Sequence, residues 1–193
     1  MRNTVRNRKT LAVTCVTAAV VTLGGLTAAA PAAAETSGAG TATVSGRGVT
    51  ATFEGGRLDL ARGWGDARAC GVWRDAVTCF RTVAELDRNA AAVGRARAES
   101  GALAACSSPL QLAEHNNLRP RILRFYDRGY WQNLDRYSFN DKTSSYRTGA
   151  CTAHLAEHND GRGYWYPGNT GPNHTENAMR SGWNDRVSSI KID

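Results

Sequence analysis

The sequence predicts a mainly β protein whose C-terminal part is made of two similar repeats, preceded by a small hairpin-plus-helix segment. Two landmarks recur in the same order. Residues 112–117 (LAEHNN) return as residues 155–160 (LAEHND), and residues 140–145 (NDKTSS) return as residues 184–189 (NDRVSS). Such a recurrence indicates a duplicated supersecondary unit. After residue 106, short apolar and aromatic runs alternate with Pro, Gly, Asn and Asp, which is typical of strands joined by turns.

The first 34 residues have the pattern of a secretory signal peptide. A basic start is followed by an apolar stretch, Leu11 to Leu26, and by the small residues of a cleavage site, Ala32-Ala33-Ala34. We therefore predict a secreted, extracellular protein of about residues 35–193 that is free of the membrane after cleavage. Its formal charge falls from +7 to +3, because four basic residues leave with the leader. Without a block of like charges, a nucleic-acid partner is not expected.

Four cysteines remain after Cys15 is removed, which in an exported chain indicates two disulfides. Three pairings are open on the sequence. We favour Cys70–Cys79 and Cys106–Cys151, because each pair then falls within one segment. A zinc site is disfavoured because the chain has no C-x-x-C pair.

The segment 35–103 differs from the repeats in composition and in predicted secondary structure. It begins with a Gly-, Ser- and Ala-rich leader, and alternating residues on either side of Glu54-Gly55-Gly56 then predict a β-hairpin. Thr82 and Glu85 fit a capping box, which predicts a helix that continues to about Glu99. Whether this segment is a mini-domain, a pro-region or a partner-binding arm stays open, and residues 104–193 are predicted to form the main domain.

The second recurring element, residues 140–145 and 184–189, is rich in oxygen atoms that could bind a metal ion. Carboxylate, amide and hydroxyl oxygens lie close together at Asp141 and Ser144, and again at Asp185 and Ser188. One such turn offers too few ligands for calcium, which takes 6–8 oxygens. Two turns facing each other would pool their oxygens and form two weak sites, with one carboxylate serving each site.

These two elements resemble the calcium signature of the βγ-crystallin superfamily, N/D-N/D-x-x-S/T-S. The resemblance implies a double Greek-key sandwich over residues 104–193. It also implies that Ser145 and Ser189 tie a folded hairpin to its turn. The calcium ligands that it implies are the Asp141 and Asp185 carboxylates, the Ser144 and Ser188 hydroxyls, and the backbone carbonyls of Lys142, Arg186, Glu114 and Glu157.

The chain also departs from the family pattern. Ala113 and Ala156 stand where the family's first element begins with an aromatic residue. Pro120 stands at a glycine position that Gly163 keeps in the second copy. Because proline cannot adopt left-handed backbone geometry, we expect the first hairpin to be distorted or differently registered.

Three functions follow as expectations. The first is a non-catalytic, monomeric calcium-binding module that uses the ion for extracellular stability. The second is an inhibitor of secreted proteases, by analogy with small actinobacterial metalloproteinase inhibitors of similar fold. The third is a killer-toxin-like or cell-wall-binding module that uses the aromatic run at residues 164–168.

The H-x-x-E-H pattern at residues 154–158 is expected to be a false zinc motif, since residues four apart in a strand are separated by about 13 Å.

Overall fold

The computed structural model describes residues 48–74, 76–99 and 106–193. All of them lie in one compact unit, Ala39–Asp193. The predicted signal peptide and most of the leader that follows it lie outside the described residues. The helices found in the described residues do not combine the length and the apolar composition that spanning a membrane requires.

The described residues form eleven short strands, one α-helix and four single-turn 3-10 helices. The strands are β1 Thr50–Phe53, β2 Gly56–Asp59, β3 Ala69–Trp73, β4 Ala76–Phe80, β5 Leu110–His115, β6 Arg119–Phe125, β7 Gln132–Asn133, β8 Ser145–Arg147, β9 Ala153–Ala156, β10 Thr175–Glu176 and β11 Ser189–Ile192. The α-helix is α1 Val83–Glu99, and the 3-10 helices are Leu60–Arg62, Asn116–Leu118, Leu134–Tyr137 and Asn159–Gly161.

The strands make two sheets. One has the order β10-β8-β5-β6-β3-β4-β1-β2, and the other has the order β7-β11-β9. The first repeat supplies β5 to β8 and the second supplies β9 to β11, with a single bridge between Ala156 and Trp165 in place of a further strand. β7 of the first repeat pairs with β11, and β10 of the second pairs with β8. This exchange between repeats makes the double Greek key, and the predicted fold class is confirmed.

The predicted N-terminal hairpin is formed by β1 and β2. Phe53 pairs with Gly56, so the loop consists of Glu54 and Gly55. Both have positive φ, 50° and 77°, as two-residue turns that match the twist of a β-ribbon require. The turn therefore lies one residue earlier than the Gly-Gly pair suggested, and Gly56 opens the second strand.

The hairpin-plus-helix segment shares a sheet and a core with the repeats. β3 runs parallel to β6, with Cys70 opposite Leu123, so the crystallin-like sheet continues into the N-terminal strands. Trp64 is 1% exposed. Its indole N–H donates to the carbonyl of Tyr137 over 2.7 Å, and its ring lies 5.9 Å from that of Phe139. The change of amino-acid composition near residue 103 therefore does not divide the described residues into two hydrophobic cores.

Helix α1 covers part of the outer face of the larger sheet. It begins with the predicted capping box. The backbone N–H of Thr82 donates to the Glu85 carboxylate over 3.1 Å, and the N–H of Glu85 donates to the Thr82 hydroxyl over 3.2 Å. Leu86 is fully buried against Trp73 and Ile122. The helix continues past Gly94 without a break.

Both favoured disulfides are present. Cys70 and Cys79 face each other across β3 and β4, and Cys106 and Cys151 join the chain just before β5 to the chain just before β9. The second bridge links the starts of the two repeats.

The two repeat hairpins share the register of their first pair, and the distortion expected near Pro120 is a bulge between Ala113 and His115 in the first copy. Ala113 pairs with Ile122 in the first copy, and Ala156 pairs with Trp165, 43 residues further on, in the second. The left-handed positions of the first hairpin fall on Asn117 and Leu118, with φ of 60° and 54°. Pro120 therefore does not prevent the turn, and the irregularity is confined to a bulge near the end of β5.

Candidate metal centre

The two signature turns have the same local geometry. Asp141 and Asp185 both adopt left-handed backbone conformations, with φ of 52° and 54°, which aspartate tolerates better than most residues. In each turn the preceding asparagine steadies the carboxylate. The Asn140 amide donates to Asp141 Oδ2 over 2.7 Å, and the Asn184 amide donates to Asp185 Oδ2 over 2.8 Å. The outer carboxylate oxygens are therefore held in matching positions.

The turns pair reciprocally across the two repeats. Ser188 Oγ donates to Asp141 Oδ1 over 3.0 Å, and Ser144 Oγ donates to Asp185 Oδ1 over 3.4 Å. The backbone N–H of Asp141 donates to the Val187 carbonyl, and that of Asp185 to the Thr143 carbonyl, each over 3.1 Å. The structure thus brings together the four side chains that the sequence singled out, as two equivalent pairs.

The neighbouring strands place the backbone carbonyls that were expected as calcium ligands beside these pairs. The N–H of Ser144 donates to the Ala113 carbonyl, and the N–H of Ser188 donates to the Ala156 carbonyl, each over 2.9 Å. Glu114 and Glu157 are the next residues along these strands. Their backbones therefore pass alongside the signature turns, where the resemblance placed them.

The carboxylates of these two glutamates have other partners. Arg121 Nε donates to Glu114 Oε2 over 2.8 Å, and Arg186 Nε donates to Glu157 Oε1 over 2.9 Å. The hydrogen bond from each guanidinium holds the pKa of its glutamate below the usual range. Lys142 adds a weaker attraction on Glu114. Any contribution of Glu114 and Glu157 to a metal ion would therefore come from their backbone carbonyls. The pairing of Arg121 with Glu114 could not be predicted from the sequence, because it depends on the folded hairpin.

The residues at the third signature position are cationic. Arg186 donates to the carbonyl of Gly182 over 3.2 Å and lies over the Trp183 ring, 5.2 Å from its centre, in addition to its bond to Glu157. Its charge is therefore largely matched by Glu157. Any contribution of Lys142 and Arg186 to a metal ion would come from their backbone oxygens.

Among residues 48–74, 76–99 and 106–193, no three His, Cys, Asp or Glu side chains converge as a metal cluster. The donors at the paired turns are instead one carboxylate and one hydroxyl for each pair, with backbone carbonyls nearby. That chemistry fits a hard cation that accepts many neutral oxygens, and it does not fit zinc.

Ser145 and Ser189 have the structural role that the resemblance implied. Ser145 Oγ donates to the His115 carbonyl over 2.6 Å and accepts from the N–H of Leu118 over 3.0 Å. Ser189 makes the same two bonds in the second copy, to the carbonyl of His158 and from the N–H of Gly161. Both serines are completely buried. They fix each hairpin to the strand that follows its signature turn.

The H-x-x-E-H pattern does not form a helix. His154 lies in β9, and its Nε2 is 2.5 Å from Asp193 Oδ2, whereas His158 lies beyond the end of that strand. The two histidines therefore do not share one helical face, as the expectation of a false motif required.

The aromatic run at residues 164–168 is divided between surface and core. Tyr164 is 74% exposed and Trp165 is 52% exposed, whereas Tyr166 is buried. The Trp165 ring lies 5.5 Å from that of Trp131 and 4.8 Å from that of His154. We call these four residues, Trp131, His154, Tyr164 and Trp165, the aromatic surface.

Comparison with known proteins gives structural matches only. No family model and no curated protein matches the sequence. One matching structure concerns the evolution of the eye lens βγ-crystallin domain fold, at 18% identity, 45% of this chain, 85% of that chain and a TM-score of 0.39. A βγ-crystallin from Ciona intestinalis matches at 19% identity, 44% and 99% coverage and a TM-score of 0.38. A double mutant of clostrillin in complex with nickel matches at 18% identity, 45% and 98% coverage and a TM-score of 0.37.

The exchange of strands between the repeats and the paired signature turns give the double Greek-key arrangement that the resemblance to βγ-crystallins implied.

Proposed function

We propose that the chain is a secreted, non-catalytic calcium-binding module in which each Asp–Ser pair contributes to one ion site. The observation that carries the proposal is the reciprocal pairing of Asp141 with Ser188 and of Asp185 with Ser144. Each pair joins one turn from the first repeat to one from the second. An ion bound there would cross-link the repeats.

The oxygen spacings support calcium. Two ligands at right angles around an ion, each about 2.4 Å away, lie roughly 3.4 Å apart, and a smaller angle brings them to roughly 3 Å. The two carboxylate-to-hydroxyl distances are 3.0 and 3.4 Å. Both carboxylates belong to exposed residues, whereas Ser144 and Ser188 are only 7% and 6% exposed. An ion could therefore enter from solvent and rest on fixed hydroxyls.

The charge of the site supports modest affinity. Each pair has one carboxylate, and the nearby glutamates are engaged with arginines, so the ion would meet little negative charge. Such sites have dissociation constants on the order of 10⁻⁵–10⁻³ M, as in extracellular modules. With a constant of about 10 µM, one site would add roughly 2.7 kcal/mol to the free energy of unfolding at 1 mM calcium.

Isothermal titration with calcium tests the proposal directly. We expect two ions per chain, one ion in Asp141→Asn or Asp185→Asn, and none in the double variant. Asp160→Asn is the matched control, since Asp160 is also exposed with a φ of 59° and the first repeat has Asn117 at that position. Unchanged binding in the double variant, or equal melting temperatures of the wild type in EGTA and in 1 mM calcium, would overturn the proposal.

Secretion has its own test. We expect mass spectrometry of the exported protein to find a chain that starts near Glu35, with all four remaining cysteines oxidised. A mature form that retains the basic leader would contradict export by signal cleavage.

The aromatic surface supports a second candidate, binding to a cell-wall polysaccharide. Exposed tryptophan and tyrosine rings offer faces on which sugar rings can stack, with polar tips at their edges. We expect retention on chitin or peptidoglycan to be lost in Trp165→Ala and kept in the Asp141→Asn, Asp185→Asn double variant. Equal retention of wild type and Trp165→Ala would rule this candidate out.

A further inference from the structure

A cleft of about 420 Å³ opens on the outer face of the larger sheet, away from the paired turns. Four of its lining residues stand in one cross-strand row. Thr175 pairs with Arg147, Arg147 with Gln111, and Gln111 with Arg124. Neighbouring strands are about 4.8 Å apart, so the two arginine backbones stand roughly 10 Å apart with Gln111 between them. We call this row and the loops beside it the row cleft.

The row cleft is rich in hydrogen-bond donors, and none of the described residues that line it is Asp or Glu. Arg124 Nε donates to Gln111 Oε1 over 2.8 Å, which leaves the amide N–H₂ of that glutamine as its remaining polar group. Arg124 also pairs with Asp87 of helix α1, so its charge is matched. An incoming ligand would therefore meet donors at the centre of the row.

Arg147 supplies the unmatched charge. It is exposed, and its Nε donates to the Thr175 hydroxyl over 3.2 Å. Within the described parts of the chain, no carboxylate oxygen lies within 4 Å of its guanidinium. A guanidinium with free N–H groups beside an amide is suited to hold an oxyanion with two or more oxygens.

The rim of the row cleft is polar, and the two loops that form it are in close contact. Ser108 and Asn173 contribute a hydroxyl and an amide group, whereas the Thr148 hydroxyl is bonded to Gly171 and His174. A Cβ on Gly149 would lie only 1.9 Å from the Ser108 carbonyl oxygen, so the two loops approach as closely as glycine allows. The Cys106–Cys151 disulfide joins the chain near both loops. The cleft is therefore built into the fold and needs no rearrangement to form.

We propose that the row cleft binds a small polyhydroxylated anion, a sugar that carries a carboxylate or phosphate group. The oxyanion lies on Arg147 and the Gln111 amide, and the sugar hydroxyls face the rim. The row cleft does not include the paired turns, so this proposal can be tested separately from calcium binding.

The test is a titration of the full secreted chain, held in EGTA, with glucuronate, glucose 6-phosphate, glucose and inorganic phosphate, followed by amide chemical shifts. We expect saturable shifts at Gln111 and its strand neighbours with the charged sugars, and no such shifts with glucose. Added sodium chloride should weaken binding, because Arg147 is exposed. The carboxylate and phosphate arms show which oxyanion the site prefers.

Arg147→Gln is the decisive variant, and we expect it to weaken the binding of the charged sugars at least about tenfold. Arg162→Gln, at an exposed arginine outside the cleft, is the control and should bind as the wild type does. Four results would overturn the proposal: equal binding of glucose, retained affinity in Arg147→Gln, shifts centred away from the row, or inorganic phosphate binding as tightly as glucose 6-phosphate.

Discussion

Replacing Thr143 by valine should stabilise this protein, although the change lies in the signature turn. Thr143 is fully buried, and within the described residues its hydroxyl has no hydrogen-bond partner. Its counterpart 44 residues later, Val187, is also fully buried. The backbone carbonyls of both residues accept the N–H of the facing aspartate over 3.1 Å. A valine is thus already accommodated in the equivalent environment.

The magnitude follows from the unpaired hydroxyl. Leaving a buried polar group without a partner costs about 1–3 kcal/mol, and valine has nearly the same shape as threonine. We therefore expect Thr143→Val to raise the free energy of unfolding by about 1–2 kcal/mol in EGTA. For a chain of this size each kcal/mol corresponds to a rise in Tm of roughly 2–4 °C.

Urea denaturation in EGTA, followed by tryptophan fluorescence, measures the change. The reverse substitution, Val187→Thr, is the matched control, and it should lower the free energy of unfolding by about 1–3 kcal/mol. If Thr143→Val is neutral or destabilising in EGTA, the hydroxyl has a partner in solution and the reasoning fails.

Two further predictions concern other parts of the fold. Because Arg121 lowers the pKa of Glu114 in the folded state, the pair contributes stability above the unfolded pKa of about 4.5 and loses it as the pH falls through the lower folded value. Glu114→Gln should therefore flatten the fall in stability between about pH 5 and pH 3 in urea titrations, and a slope equal to that of the wild type would contradict the pairing. Leu86→Ala should lower the free energy of unfolding by about 2–5 kcal/mol, since Leu86 is fully buried between helix α1 and the larger sheet. A single unfolding transition is expected, and separate melting of the N-terminal segment would refute the shared core.

Local signals predicted local structure well. The capping box needs only residues three apart, and the hairpin at Glu54 and Gly55 needs only a turn that accepts positive φ. Asp141 and Ser188 lie far apart in the sequence but are in contact in the structure. The internal repeat predicted this contact, because a duplicated unit constrains where its second copy lies.

The effect of Pro120 was predicted in part, since the first hairpin is distorted by a bulge but keeps its register at Ala113 and Ile122. Gly163 has the left-handed geometry that the sequence argument assigned to this position, with a φ of 75°, and Pro120 cannot adopt it. Asn117 and Leu118 keep the left-handed geometry of the turn itself. Ser145 ties this hairpin through the same pair of bonds that Ser189 makes in the second copy. The tie between hairpin and strand therefore keeps the register despite the missing glycine.

The sequence by itself determined the repeat, the strand-and-turn character, the favoured disulfide pairing and the oxygen donors of the signature turns, because each depends on residue type and spacing along the chain. The tertiary structure alone decided that β3 extends the crystallin-like sheet, that Arg121 and Arg186 engage the two glutamates, and that Arg147, Gln111 and Arg124 form one row. These features join strands that are not neighbours in sequence. Which strand edges meet, and in what register, depends on how the whole core is filled.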